Sequence, residues 1–121
     1  MEGRNGFEMH RFVDETFKGG ILKFATLNMI NKHHTYPYKL YKKMKTFHFG
    51  VLSHVEKSEV YNALNSLETK GLVKSRIHLK GSKVQKEYSL TPIGKKVLTR
   101  SRKAMLANLR NIKKLINYEF E

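Results

Sequence analysis

The sequence predicts a mainly α-helical protein with one small β-hairpin (an α+β fold), and three observations lead to this fold class. First, a helical pattern of apolar residues ends near Gly71, where strand-like alternation begins. Second, Gly81-Ser82 interrupts that alternation with a two-residue turn, for which glycine supplies the positive φ. Third, Thr91-Pro92 follows the return strand, and this pair is typical of a helix start. The predicted order is helix, strand, turn, strand, helix.

Two helices are predicted at the amino-terminal end of the chain. Apolar residues at spacings of three and four predict a short amphipathic helix over residues 8–18, which Gly19-Gly20 would end. The next stretch, residues 21–30, is apolar nearly all round and therefore predicts a central core helix. We accordingly treat residues 1–20 as an N-terminal helical extension.

A third helix is predicted over residues 37–45, with a proline in its first turn and Thr35 as its cap. Residues 46–55 alternate loosely, and they are compatible with either a short strand or a packed loop. The helix before the hairpin can start at His54, through a capping box, or at residues 56–58. Its buried stripe is formed by Val60, Ala63, Leu64 and Leu67.

Composition and charge narrow the possible functions. The chain has 121 residues, enough for one hydrophobic core, and its hydrophobic share of 40% fits a folded domain. Its formal net charge of +14 opposes compaction, and a polyanion such as nucleic acid would relieve the repulsion. The chain has no cysteine, which excludes disulfides and thiolate metal sites. No apolar run approaches the ~18 residues that span a bilayer, and the first residues lack an apolar signal core. We therefore expect a cytoplasmic protein without a membrane partner.

The helix over residues 57–70 and the hairpin over residues 72–90 are candidates for binding double-stranded DNA. A helix fits the major groove, and a basic hairpin can reach the backbone or the minor groove beside it. Glu87 is the only acid between Lys74 and Lys103, against ten Lys and Arg, so a merely solvated surface is disfavoured. The candidate residues on the helix lie opposite its buried stripe: Lys57, Ser58, Glu59, Tyr61, Asn62, Asn65 and Ser66. On the hairpin they are Lys74, Arg76, Lys80, Ser82, Lys83 and Lys86.

The last helix, within residues 92–121, is long for a domain of this size. At 1.5 Å per residue it would extend roughly 40 Å. Its apolar residues at heptad-like spacing are Leu98, Met105, Leu109, Ile112 and Ile116. This seam can pack on the core of its own chain. Because a helix of this length overhangs such a core, we predict instead that part of the seam meets a second copy and joins the two as a homodimer.

Two motifs carry a resemblance to a known family. The first is Tyr61-Asn-Ala-Leu64-x-x-Leu67-Glu68-x-x-Gly71-Leu72-Val73, and the second is Lys86-Glu-Tyr88-Ser-Leu90-Thr91-Pro92-x-Gly94. Together they resemble PadR-type winged helix-turn-helix transcription regulators and related small archaeal winged-helix regulators, and the resemblance covers roughly residues 21–98. It implies a winged helix-turn-helix fold with a long C-terminal dimerisation helix. It also implies a homodimer that binds a pseudo-palindromic operator.

An enzyme is disfavoured by the residues that the chain lacks. A metal-dependent nuclease needs clustered carboxylates, but the chain has only ten acids, and Asp14 is its single aspartate. No glycine-rich phosphate loop is present. His33-His34 is a poor chelating pair without a third ligand. We therefore expect no catalytic residue, no cofactor and no metal.

A small-molecule effector is possible, but the sequence gives it no support. Phe12, Phe17, Tyr36, Tyr38 and Tyr41 could line a pocket at a dimer interface, although aromatic residues at helical spacing usually belong to a core.

The sequence as a whole predicts a sequence-specific regulator of transcription, a repressor, that binds double-stranded DNA as a homodimer on the nucleoid. Residues 21–91 would form the DNA-binding domain, and residues 92–121 the dimerisation helix. The alternative is a nonspecific architectural protein that coats DNA, because the same charges would suffice for it.

Overall fold

The computed structural model describes residues 20–33, 35–47, 52 and 54–118. This part of the chain contains four helices and a two-stranded hairpin. The elements are α1 (20–31), α2 (Pro37–Met44), α3 (Lys57–Thr69), β1 (Val73–Lys80), β2 (Lys83–Leu90) and α4 (Pro92–Tyr118). The predicted α+β fold class is confirmed. The predicted helix over residues 8–18 and half of the ambiguous segment 46–55 (residues 48–51 and 53) lie outside the described residues. Among the described helices, none has the length and apolar character needed to cross a membrane.

A single hydrophobic core holds α1, α2 and α3 against the base of the hairpin. Each helix contributes residues at spacings of three and four, because these positions share one helical face. The largest fully buried side chains include Leu40, Met44, Val60, Leu64 and Leu67. The predicted stripe of α3, including Ala63, is therefore confirmed.

Two helix starts differ from the prediction. Gly20 is helical, so it belongs to α1 and not to a break. Tyr36, and not Thr35, is the residue that precedes α2, and it makes no capping hydrogen bond through its side chain. The Thr35 hydroxyl instead donates to Oε2 of Glu87 on β2 at 3.1 Å.

The two ends of α3 are fixed by backbone hydrogen bonds. At its start, the N–H of Glu56 donates to Oε1 of Glu59 at 3.0 Å, so the helix begins at Lys57, the later of the two predicted positions. At its end, Gly71 has a φ of 75°, and the N–H of Leu72 donates to the carbonyl of Leu67 at 2.9 Å. This is the Schellman arrangement, in which glycine at positive φ terminates a helix.

The hairpin is antiparallel and pairs Val73 with Leu90 at its base and Lys80 with Lys83 at its tip. Gly81 in the turn has a φ of 66°, as the sequence predicts. Alternation along β1 puts Val73, Ile77 and Leu79 on one face, and of these three only Val73 is buried. The hairpin extends beyond the core, so its outer half projects from the domain as a wing.

A compact junction ties α4 to the end of α3. The Thr91 hydroxyl donates to the carbonyl of Gly71 at 2.6 Å, and the Thr91 N–H donates to the carbonyl of Leu72 at 3.1 Å. Gly94 packs so tightly here that a Cβ atom would lie 1.9 Å from the Leu72 carbonyl oxygen. Only glycine fits at this position without displacing the backbone.

Leu98 corrects the predicted dimerisation seam. Its side chain is only 3% exposed and belongs to the core of its own domain, because the first turns of α4 still pack on that core. From Met105 onward, the apolar side chains of α4 are exposed. Arg102 on the intervening turn donates a hydrogen bond to the Asn28 side chain of α1. The exposed seam therefore begins at Met105.

Candidate nucleic-acid interface

The outer face of α3 is polar and accessible. Lys57, Ser58, Tyr61, Asn62 and Asn65 are all exposed on it, as expected for the side opposite the buried stripe. Hydroxyl and amide groups can donate and accept hydrogen bonds, which suits the edges of bases and the oxygens of phosphates. The structure thus brings five of the seven predicted α3 residues together on one accessible face.

The other two predicted α3 residues, Glu59 and Ser66, lie on the flank of the helix that faces α1. Both are half-buried. The carboxylate of Glu59 accepts the N–H of Glu56, so it helps to begin the helix. Because Glu59 is half-buried on the flank, its side chain is less suited to contact bases than the exposed side chains of Asn62 and Asn65.

A groove of about 480 Å³ lies between the start of α2, the face of α3 and strand β2. Polar groups in its lining come from three parts of the fold: Tyr36 and Tyr38 at the start of α2, Tyr61 and Asn65 on α3, and Gln85 and Lys86 on β2. Hydroxyl, amide and ammonium groups therefore line a groove that is open to solvent. Such a groove can hold an extended anionic strand, because each of these groups can bind a phosphate oxygen.

The aromatic residues that the sequence suggested for an effector pocket do not lie together in the structure. Tyr36 and Tyr38 line the groove beside α3, whereas Tyr41 packs partly buried against the core. Phe12 and Phe17 lie outside the described residues. Two of these tyrosines therefore line the groove, and the third packs against the core of the domain.

The lysines of α2 were missed by the sequence reasoning. Nζ of Lys42 lies 5.1 Å from the centroid of the Tyr38 ring, and Nζ of Lys57 on α3 lies 4.9 Å from the same centroid. Lys39 is placed in the same way over Tyr36, at 5.3 Å. Cation–π attraction holds ammonium groups near the groove. The sequence did contain a signal for these contacts. Lys39 follows Tyr36 by three residues and Lys42 follows Tyr38 by four, and side chains at these spacings are neighbours on a helix.

The predicted cations of the wing divide between its two faces. The register places Lys74, Arg76, Lys80 and Lys83 on one face. Lys86 lies on the opposite face and lines the groove with α3. Side chains alternate along each strand, and even-numbered residues of β1 pair with odd-numbered residues of β2, so alternation and register together give this division. The turn residue Ser82 is exposed at the tip. The face of the wing that lines the groove and the opposite face thus carry separate sets of cations.

Glu87, the acid of the wing, is held by two neighbours. Nε2 of His78 lies 2.8 Å from Oε1 of Glu87, and Thr35 donates to Oε2. These two hydrogen bonds, that of His78 first, lower the pKa of the Glu87 carboxyl. The carboxylate is directed to partners within the protein, which limits its repulsion of an anion at the wing.

Two lysines outside the predicted set lie together beside α3. The charge of Lys70 is the main cause that lowers the pKa of Lys23, with a side-chain hydrogen bond between the two and burial adding to it. Lys23 also lines a shallow groove with Asn62 and Ser66. A bound phosphate would relieve the repulsion between the two ammonium groups. No local pattern could reveal this pair, because tertiary packing of α1 on α3 creates it.

The described residues contain no group of three or more histidines and acids that could hold a metal ion.

Comparison with known proteins agrees with this geometry. Structures with the same fold include a PadR-like transcriptional regulator from Bacillus cereus, which is 19% identical over 80% of this chain and 92% of its own, with a TM-score of 0.69. A PadR family transcription regulator from Clostridium difficile is 24% identical over 83% of this chain and 98% of its own, with a TM-score of 0.63. A PadR family regulator from Eggerthella lenta is 22% identical over 90% and 93%, with a TM-score of 0.68.

These identities are low, so the three structures support the fold alone. No curated protein sequence matches the chain significantly. The sequence profile of the transcriptional regulator PadR-like family, however, matches residues 26–100, which is more than half of the chain. The resemblance inferred from the two motifs is thereby confirmed, and the chain belongs to the PadR-like family of transcriptional regulators.

Proposed function

We propose that this protein regulates transcription by binding double-stranded DNA at specific sequences. The observation that carries the proposal is the groove in which Tyr61 and Asn65 of α3 face Lys86 of the wing. Membership of a family of transcriptional regulators implies DNA binding. The groove adds a surface on which base-reading and phosphate-binding groups stand side by side.

In this proposal α3 enters the major groove, and the wing follows the backbone toward the minor groove. Asn62 and Asn65 would read base edges, since an amide can both accept from and donate to adenine. The exposed hydroxyls of Tyr38 and Tyr61 and the ammonium group of Lys86 would bind the phosphates between the two contacts. Lys80 and Lys83 at the tip would bind the backbone farther along.

We further propose that the protein acts as a homodimer joined through α4. Beyond Met105 the helix exposes Leu109, Ile112 and Ile116, and these residues follow heptad spacing. A groove of about 630 Å³ between α1 and this stripe is lined by Ile21 together with Met105 and Leu109. An apolar stripe of this length is unfavourable in water, and a second copy would cover it. Two-fold symmetry would then present two copies of α3 to a pseudo-palindromic operator.

A dimer that covers an operator can block transcription by occupancy alone, so we propose repression, carried out on the chromosome in the cytoplasm. Fusing the promoter next to the gene to a reporter tests this. Supplying the protein should lower reporter output, and the Asn62→Ala, Asn65→Ala variant should restore it. Increased output would instead indicate an activator.

Binding titrations test the proposed specificity directly. About eight phosphate contacts per dimer should give a slope of log K against log salt concentration near −7. A regulator should also favour its operator over random duplex by ~10³ or more. The operator itself can be found by selecting bound sequences from a random pool.

The second candidate, a nonspecific protein that coats DNA, is favoured by the charge of α4. This helix carries eight Lys and Arg and no acid between Pro92 and Tyr118. The same titrations separate the two proposals. Equal affinity for every duplex would support coating, and a slope near zero would exclude both.

A further inference from the structure

Three apolar side chains form an exposed patch on the wing. Ile77, Leu79 and Val84 are 62%, 77% and 64% exposed. Leu79 and Val84 are directly paired across the hairpin, and Ile77 is paired with Lys86, so all three side chains share one face. We call Ile77, Leu79 and Val84 the inner wing face. None of them belongs to the hydrophobic core of the domain.

The inner wing face is turned toward the same side as α3. Val84 and Lys86 lie on this face, and both line the groove opposite Tyr61 and Asn65. A strand bound in that groove would therefore pass directly from α3 onto the inner wing face. Continuity with the groove makes this patch part of the same surface and not a separate one.

The charges around the patch indicate what kind of partner it would bind. Lys86 lies on the same face and borders the patch on the groove side, and Lys80 and Lys83 form the last pair at the hairpin tip, with their side chains on the opposite face. A second copy of the chain would bring the same lysines against one another, which is unfavourable. The occupant should instead combine negative charge with apolar surface. The minor groove of duplex DNA does so, because deoxyribose and base edges lie between two rows of phosphates.

We propose that the inner wing face enters the minor groove of duplex DNA, packs on its sugars and base edges, and bends the duplex. Apolar side chains that enter the minor groove partly unstack a base step and kink the helix axis. The wing would thus select sequences by how readily they deform. Flexible TA or CA/TG steps are expected beneath it, even though the wing makes no hydrogen bond to a base there. This inference rests on the proposed DNA binding and extends it to a second means of specificity.

The test replaces all three residues in one variant, Ile77→Ser, Leu79→Ser and Val84→Ser. Because the three side chains are largely exposed, the fold should be retained, and the midpoint of thermal unfolding verifies this. The bend is measured by energy transfer between dyes at the two ends of an operator duplex. We expect the variant to bend the duplex less and to bind about 10-fold more weakly. The salt slope should remain that of the wild type, because every cation is kept.

A matched control is Ile93→Ser, since Ile93 is 60% exposed but lies on α4. It should bind and bend like the wild type. A triple variant that bends and binds the operator as the wild type does would overturn the inference while leaving the proposed function intact. A triple variant that changes the oligomeric state instead would identify a second copy as the occupant and would also overturn it. A wild-type protein that binds no duplex at all would remove the proposed function and this inference together.

Discussion

Replacing Gly94 by alanine tests the junction that joins α3, the hairpin and α4. The added Cβ would lie 1.9 Å from the carbonyl oxygen of Leu72 and 2.9 Å from its carbonyl carbon. Both atoms belong to the backbone, so no side-chain rotation can relieve the clash. The Leu72 carbonyl also accepts the N–H of Thr91 at 3.1 Å, and a shift large enough to admit the methyl group would break that hydrogen bond.

The expected loss follows from these two effects. Overpacking against an unyielding neighbour costs about 1–3 kcal/mol, and the lost hydrogen bond adds about 1 kcal/mol. We therefore expect Gly94→Ala to lower the free energy of unfolding by ~3 kcal/mol. Urea titration monitored by circular dichroism measures this value, with all variants at one protein concentration because association would add to the stability.

Two other glycines serve as controls. Gly71 has open space around its Cβ position but a φ of 75°, so Gly71→Ala should cost about 1–2 kcal/mol through backbone strain alone. Gly20 is helical with nothing within 4 Å, so Gly20→Ala should stabilise by ~0.5–1 kcal/mol. The reasoning is refuted if Gly94→Ala costs no more than Gly71→Ala.

Three further predictions address the proposed interface, the proposed dimer and the response to pH. Changing Asn62 and Asn65 together to alanine should reduce the ratio of operator to random-duplex affinity by about 10-fold or more, since each amide–base pair discriminates by ~1–3 kcal/mol; equal losses on both duplexes would contradict the assignment. Changing Leu109 and Ile112 to serine should yield monomers in sedimentation experiments, and an unchanged mass would show that α4 does not join the copies. The lowered pKa of the Glu87 carboxyl means that this group stabilises the fold above its unfolded pKa, and that the contribution disappears as the pH falls through the folded value. Glu87→Gln should therefore lose less stability on acidification than the wild type, and parallel acid-unfolding curves would argue against this.

Features set by neighbouring residues were predictable from the sequence. The end of α3 at Gly71 and the turn at Gly81 depend on a backbone conformation that glycine adopts readily, and both have positive φ. The stripe of α3 follows from helical periodicity. The hairpin was predicted over residues 72–90 and is observed over residues 73–90, because alternation and turn chemistry are local properties.

Features set by distant parts of the chain were not predictable. Alternation shows that Val73, Ile77 and Leu79 share a face, but it does not show where the core ends along that face. Leu98 fits the heptad spacing of α4, yet periodicity alone does not distinguish the core of the same chain from a partner. Likewise, Lys57 lies over the Tyr38 ring only because α2 packs on α3.

Hydrogen bonds on both sides hold the base of the wing to the rest of the domain. On one side, the N–H of Tyr88 donates to the carbonyl of Thr35 at 2.8 Å, which attaches β2 to the loop before α2. On the other side, Thr91 attaches the end of β2 to Gly71. These hydrogen bonds restrain the base of the wing from both sides, and we expect them to keep the separation between the wing and α3 nearly constant. In the proposed complex, a DNA site lengthened by one or two base pairs between the contacts of α3 and those of the wing should therefore lose affinity sharply, whichever bases are inserted.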